Sequence, residues 1–97
     1  MYLEIVSPEA TLFSSEVDSV VVPGINGEFE LLQGHAPIVS LLKEGTVKIR
    51  THSQSHLELD ELHGNVVPHK DDKKLLTVTI NSGTLEINNN KVIVLAD

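Results

Sequence analysis

Four of the five histidines fall in one polar segment, at His52, His56, His63 and His69. On a helix, His52 and His56 would share a face and could bind zinc. The sequence predicts an extended or irregular segment here, however, and the chain has no cysteine to complete a zinc site. The pattern therefore favours solvated loop histidines and predicts no metal site. A small metal-dependent enzyme that uses these side chains stands as the alternative.

Glu28 and Glu30 are a second candidate for chemistry, because they lie two residues apart on a predicted strand. That spacing places both carboxylates on one face. Such pairs perform acid–base catalysis when burial drives their pKa values apart. This strand is short and bounded by glycine turns, so we expect both side chains to be hydrated. They are predicted to recognise a polar or basic partner, and no catalytic residue is predicted.

The loop from Pro23 to Gly27 and the turn at Gly34-His35-Ala36-Pro37 are the remaining polar candidates. The loop lacks the Lys-Ser/Thr ending of a phosphate-binding loop and a following helix, so Gly24 and Gly27 read as tight-turn residues. No cofactor is predicted. Two roles are open for His35: a turn histidine bonded to backbone, or a residue of an interface.

The elements that must position these residues are predicted β-strands, which follow one another along the chain. Val47 and Ile49 alternate with Lys48 and Arg50, which indicates a half-buried strand. No window carries a helical repeat, and short strands at this spacing predict an all-β sandwich or barrel. The clearest predicted strands are 2–6, 11–15, 17–22, 28–32, 38–42, 46–51, 75–81, 84–88 and 91–96, with a hairpin turn at Asn88-Asn89-Asn90.

Residues 51–74 interrupt this pattern with a polar segment. Its length is unusual for a structureless loop in a small domain. We expect residues 1–97 to form a single domain with an insertion at about 51–74, which contains an irregular hairpin of 57–62 against 65–68 or projects from the domain.

Composition narrows the possible partners. The formal charge is −7, with no basic cluster and 3% aromatic residues. The chain is therefore predicted to bind no nucleic acid and to dock poorly on anionic lipid by charge. Electrostatics favour a basic protein partner, although negative charge is usually explained by solubility. The chain shows neither a signal peptide nor an apolar run long enough to span a membrane. It is predicted to be cytosolic, with membrane association only through partners and no direct lipid insertion.

One long motif resembles a known family. The run Glu16-Val17-Asp18-Ser19-Val20-Val21-Val22-Pro23-Gly24, followed by Gly27-Glu28-Phe29 and Gly34-His35-Ala36-Pro37, is similar to the ε subunit of F-type ATP synthases. The opening run at 3–14, the strand at 45–49 and the final hairpin at 82–97 extend the resemblance to nearly everything except 51–74. It implies an all-β sandwich or flattened barrel of about ten mostly antiparallel strands in two sheets. The implied subunit is non-catalytic, binds the γ subunit and rests on the membrane c-ring as part of the rotor. Such a subunit couples ion flow through the ring to rotation of γ and to ATP synthesis.

The resemblance also implies contact residues. Glu28 falls where the family's loop approaches the c-ring, and His35 where it lies against γ. Partner-binding residues are accordingly expected at Gly24, Gly27, Glu28, Glu30, Gly34 and His35. The subunit would be monomeric within the complex, without a cofactor, at the cytoplasmic face of the bacterial inner membrane.

Three departures from the family pattern qualify this expectation. Many members have a proline at the position of Gln33. Many also have a glycine at the position of Glu30, so the glutamate adds a charge in this sequence. Many bacterial members continue into a helical hairpin that inhibits ATP hydrolysis, whereas this sequence stops at Asp97. We therefore expect inhibition and ATP binding through that hairpin to be absent. A free-standing β-sandwich that binds an unrelated protein is the alternative function.

Overall fold

The computed structural model describes residues 1–51, 66–68 and 75–97. Every regular element in these ranges is a β-strand. The strands are β1 (Tyr2–Val6), β2 (Thr11–Glu16), β3 (Ser19–Gly24), β4 (Gly27–Leu32), β5 (Ile38–Leu42), β6 (Gly45–Arg50), β7 (Val66–Pro68), β8 (Leu75–Ile80), β9 (Gly83–Asn88) and β10 (Lys91–Ala96).

The strands form two five-stranded layers that continue into each other at one side. One layer has the order β2-β1-β10-β9-β5 and the other β4-β3-β6-β8-β7. They join where the end of β3 meets the end of β5, at the pair Gly24 and Leu42. Pairing is antiparallel throughout except between β1 and β10, which run parallel. The predicted all-β sandwich of about ten mostly antiparallel strands is confirmed, with its two layers belonging to one continuous sheet rather than to two separate ones.

Alternation along each strand builds the core between the layers. Val47 and Ile49 are fully buried, while Lys48 and Arg50 between and after them remain accessible. Because strand side chains alternate faces, one face of each sheet can be apolar throughout. Beyond Val47 and Ile49, the largest fully buried side chains are Leu3, Ile5, Val20, Val22, Leu31, Leu76, Val78, Leu85, Ile87 and Val92. The core is thus almost wholly aliphatic.

The limits of β3 differ most from the sequence prediction. The predicted strand 17–22 begins instead at Ser19 and includes Pro23 and Gly24. Val17 precedes the strand, and its N–H donates to the Met1 carbonyl at 2.8 Å. Pro23 is tolerated because its missing N–H would face away from β4; its carbonyl points the same way and accepts from the N–H of Lys43 at 2.9 Å. The other predicted strands agree to within one residue at each end.

The predicted insertion is described in part. Residues 66–68 form β7, which pairs with β8 through Val66↔Val78. The predicted partner segment 57–62 lies outside the described residues, as do His52, His56, His63 and His69. Within the ranges described, no helix has the length and hydrophobicity needed to cross a bilayer.

Candidate partner-binding surface

The two glycine turns singled out in the sequence lie at opposite ends of the sandwich. The first joins β3 to β4 at Ile25-Asn26, and the second follows β4 at residues 33–37. The six-residue β4 between them spans roughly 20 Å at about 3.3 Å per residue. β5 then returns to the first end, where the N–H of Ile25 donates to the Leu41 carbonyl at 3.2 Å. The predicted contact residues therefore form two separate sites.

The first site is shaped by a two-residue hairpin turn. Gly24 is buried, and a Cβ there would lie 2.7 Å from Phe29 Cε1 and 2.8 Å from the Gly27 carbonyl oxygen. The Phe29 ring thus covers the Gly24 backbone directly. Gly27 has a φ of +130°, a conformation that side-chain-bearing residues rarely adopt. Gly24 and Gly27 fix the conformation of the hairpin. The residues that it exposes for contact are Ile25, Asn26 and the outer face of β4.

Glu28 and Glu30 lie on the outer face of β4, as their spacing predicted. Both are exposed, whereas Leu31 on the other face is fully buried. Glu28 Oε2 lies 3.2 Å from the Lys48 ammonium, which reaches across β3 from β6. With the two side chains 51% and 43% exposed, this ion pair contributes about 0–1 kcal/mol. Both carboxylates are thus exposed to solvent, as expected, and their role in recognition stays a prediction.

The second site is the turn that holds Gly34 and His35. Gly34 has a φ of +81°, and its N–H donates to Asn90 Oδ1 at 2.9 Å. Asn89 and Asn90 both adopt left-handed conformations in the β9–β10 hairpin, which fits a tight two-residue turn. The turn at 33–37 is therefore fixed to the neighbouring hairpin.

The His35 side chain also bonds to backbone. Its Nδ1 lies 2.7 Å from the Ala36 carbonyl oxygen, so the ring donates from Nδ1 and leaves Nε2 as the free acceptor of the neutral form. The main-chain N–H of His35 donates to the Leu32 carbonyl at 3.1 Å. The ring is half-buried. Its bond to backbone fits the first predicted role, and the interface role stays a prediction.

Neither site groups side chains that could hold a metal ion. In the described parts of the chain, no group of three or more His, Asp, Glu or Cys side chains is close enough to hold a metal ion. His35 is the one histidine that the structure describes. What the arrangement offers is hydrogen-bonding groups and charge on two rigid turns.

An apolar patch near the first turn was not found by sequence reasoning. Ile25, Leu41 and Leu95 are each more than half exposed and line a surface depression of about 650 Å³. Val39, 75% exposed, lies on the same outer face of β5 as Leu41. Contiguous exposed apolar surface of this kind marks interaction sites. The signal was present in the run Ile-Val-Ser-Leu-Leu of β5, where both faces are largely apolar although a two-layer sandwich buries only one.

Comparison with known proteins identifies the family. Residues 1–59 match the family model described as the β-sandwich domain of the ATP synthase delta/epsilon chain. The chain belongs to this family. The matched region includes both glycine turns and β4.

Curated relatives agree along the whole chain. The ATP synthase epsilon chain of Campylobacter fetus is 41% identical over 97 residues, covering 100% of this chain and 60% of the relative. That of Desulforamulus reducens is 35% identical over 95 residues, covering 98% of this chain and 57% of the relative. The chain thus spans about three fifths of the length of these curated relatives.

Solved structures share the fold at lower sequence identity. A chain in the Tetrahymena thermophila mitochondrial ATP synthase central stalk and c-ring superposes with a TM-score of 0.70 at 11% identity, covering 98% of this chain and 61% of that one. A chain of the Euglena gracilis mitochondrial ATP synthase gives 0.69 at 19% identity, covering 97% and 48%. These likenesses bear on the fold alone, and they agree with the two-layer sandwich.

Proposed function

We propose that this chain is a non-catalytic rotor subunit of an F-type ATP synthase, which links the membrane c-ring to the γ shaft and so couples ion flow to ATP synthesis. The observation that carries the proposal is the family membership, supported by relatives named ATP synthase epsilon chain that align with the entire chain. The complex would hold one copy at the cytoplasmic face of the bacterial inner membrane. Residues 1–97 would act as one domain with an insertion at about 51–74.

The geometry suits a part that transmits torque. An aliphatic core between two layers resists shear because its side chains interdigitate at close-packed density. Two turns about 20 Å apart, at the ends of one strand, allow one partner to bind at each end. The end with Gly24, Gly27 and Glu28 would contact the polar loops of the c-ring. The end with Gly34 and His35 would contact γ.

Glu30 lies between the two ends, on the outer face of β4. Its carboxylate adds negative charge beside Glu28, so a basic partner segment along this strand would be attracted to both. The chain's net charge of −7 favours the same kind of partner over an acidic one. The alternative function, a free-standing module with an unrelated ligand, has no observation of its own in support.

Reconstitution tests the proposal. ATP synthase from the source organism, stripped of this subunit and placed in vesicles, should make little ATP under an imposed ion gradient. Adding back the chain should restore synthesis, and a Glu28→Gln/His35→Ala double variant should restore less. Melting temperatures of the purified chains provide the control for folding. Equal ATP synthesis with and without the chain would refute the rotor role.

A further inference from the structure

The outer edge of β4 is an unpaired strand edge in the part of the chain that the structure describes. β4 pairs with β3 on one side, and no described strand lies on its other side. The ladder runs in regular register over all six residues. An open edge of this length presents main-chain donors and acceptors to any extended segment.

Hydrogen-bond geometry shows which residues carry these free groups. The Pro23 carbonyl accepts from Lys43, so Pro23 points away from β4 and its neighbours Val22 and Gly24 point toward it. Main-chain groups in an antiparallel ladder alternate sides. The partners of Val22 and Gly24 on β4 therefore face β3, and Glu28 and Glu30 direct their N–H and C=O groups to the open edge.

The turn at the end of β4 agrees with this assignment. Leu32 has the same parity as Glu28 and Glu30, and its carbonyl accepts from the N–H of His35 on the side away from β3. That leaves the N–H and C=O of Glu28 and Glu30 along the edge, next to their own carboxylates on the outer face.

The β4 edge lacks the bulges and prolines that protect the other strand edges. β2, at the edge of the other layer, carries a register irregularity opposite Ile5 and Val6. β7 has three residues and ends in Pro68. β4 has neither a bulge nor a proline, two of the features by which soluble proteins discourage edge pairing. Its charged side chains, Glu28 and Glu30, discourage pairing with an acidic strand but not with a basic one. An edge left regular over six residues fits a role in binding.

The charge of β4 determines which kind of segment can pair with its open edge. A second copy placed antiparallel on β4 would bring Glu28 and Glu30 of the two copies together, and like charges opposite each other destabilise a strand pair. A basic side chain opposite either carboxylate stabilises the strand pair instead. Leu32, 55% exposed, follows on the same face, and Phe29 on the other face lines a depression of about 660 Å³ shared with Val39 and Leu41. Apolar side chains of an incoming strand fit there.

We infer that β4 binds an extended segment of its protein partner by strand addition, through the main-chain groups of Glu28 and Glu30. The segment alternates basic side chains, opposite the two carboxylates, with apolar ones. The inference rests on the proposed function for the existence of a rotor partner, and it adds the mode of binding. Higher salt weakens the complex because the charge pairs are solvent-exposed.

Amide hydrogen exchange on the complex with the γ subunit and the c-ring tests this inference. Binding should slow exchange of the Glu28 and Glu30 N–H groups by on the order of 100-fold, since free edge amides become hydrogen-bonded. Glu30→Pro removes an edge donor at a position where proline fits a strand, and should weaken binding by about tenfold or more. Glu30→Ala keeps the donor and should weaken binding by only about threefold.

Ser14→Pro provides a matched control, because Ser14 is an exposed edge residue of β2 in the other layer. It should bind as the parent does. Unchanged exchange at Glu28 and Glu30 in a complex that does form would overturn the strand-addition inference and leave the rotor role standing. Equal weakening by the two proline variants, or protection at Val39 of β5 instead, would also overturn it. Failure of the parent chain to form any complex would overturn the proposed function itself.

Discussion

Substitution of Gly24 by alanine tests the packing that shapes the first turn. The new Cβ would lie 2.7 Å from Phe29 Cε1 and 2.8 Å from the Gly27 carbonyl oxygen. Ordinary contacts are 3.5–4.0 Å, so both neighbours would have to move by roughly 1 Å. Overpacking of this kind costs about 1–3 kcal/mol. Alanine also reduces the entropy of the unfolded chain, which returns about 0.4–1 kcal/mol. The net loss of unfolding free energy should be about 1–2 kcal/mol.

Thermal and urea denaturation measure this loss. For a domain of this size, 1 kcal/mol lowers the melting temperature by about 4–8 °C, so Gly24→Ala should lower it by roughly 4–16 °C. A double-mutant cycle with Phe29→Leu separates the two contacts. Replacing the Phe29 ring with a smaller leucine side chain should reduce the loss of unfolding free energy caused by Gly24→Ala. Part of that loss should remain, because the Gly27 carbonyl stays in place. A melting temperature within 2 °C of the parent for Gly24→Ala would refute the close approach of Phe29 to the backbone.

Three further predictions concern other parts of the sandwich. Gly83→Ala places a Cβ 2.5 Å from the Leu95 carbonyl oxygen, a backbone atom, and should cost about 2–3 kcal/mol by denaturation; a loss below 0.5 kcal/mol would contradict the tight β9–β10 contact. Leu31→Ala empties a fully buried position and should cost about 2–5 kcal/mol in urea unfolding, whereas a surface-like effect would place Leu31 outside the core. Glu28→Gln breaks only the exposed pair with Lys48 and should change stability by less than about 1 kcal/mol; a larger loss would make Glu28 a structural residue.

The strand pattern was predictable because alternation is local. Val47 and Ile49 alternate with Lys48 and Arg50; the structure buries the two apolar side chains and leaves the two charged ones accessible. The all-β class and most strand limits follow from such runs. The start of β3 could not be predicted in this way. Val17 is β-branched like the residues of the strand, yet it is buried beside Met1, outside the β3 ladder. That placement depends on a contact 16 residues away along the chain.

The site was predictable in part. Glu28 and Glu30 were expected on one exposed face, and they are. Sequence proximity grouped the two glycine turns, whereas the antiparallel course of β4 puts them at opposite ends. The burial of Gly24 under Phe29 and the bond from Gly34 to Asn90, 56 residues along the chain, depend on tertiary structure. The role of each residue in partner binding stays a prediction.

The affinity of this chain for the γ subunit of the same complex tests the central claim most directly. Isothermal titration of the purified proteins, checked by sedimentation, measures both affinity and stoichiometry. The rotor assignment predicts one chain per γ with a dissociation constant of about 1 μM or lower, equivalent to about 8 kcal/mol of binding free energy. No binding at protein concentrations of about 100 μM, with both proteins folded, would contradict it.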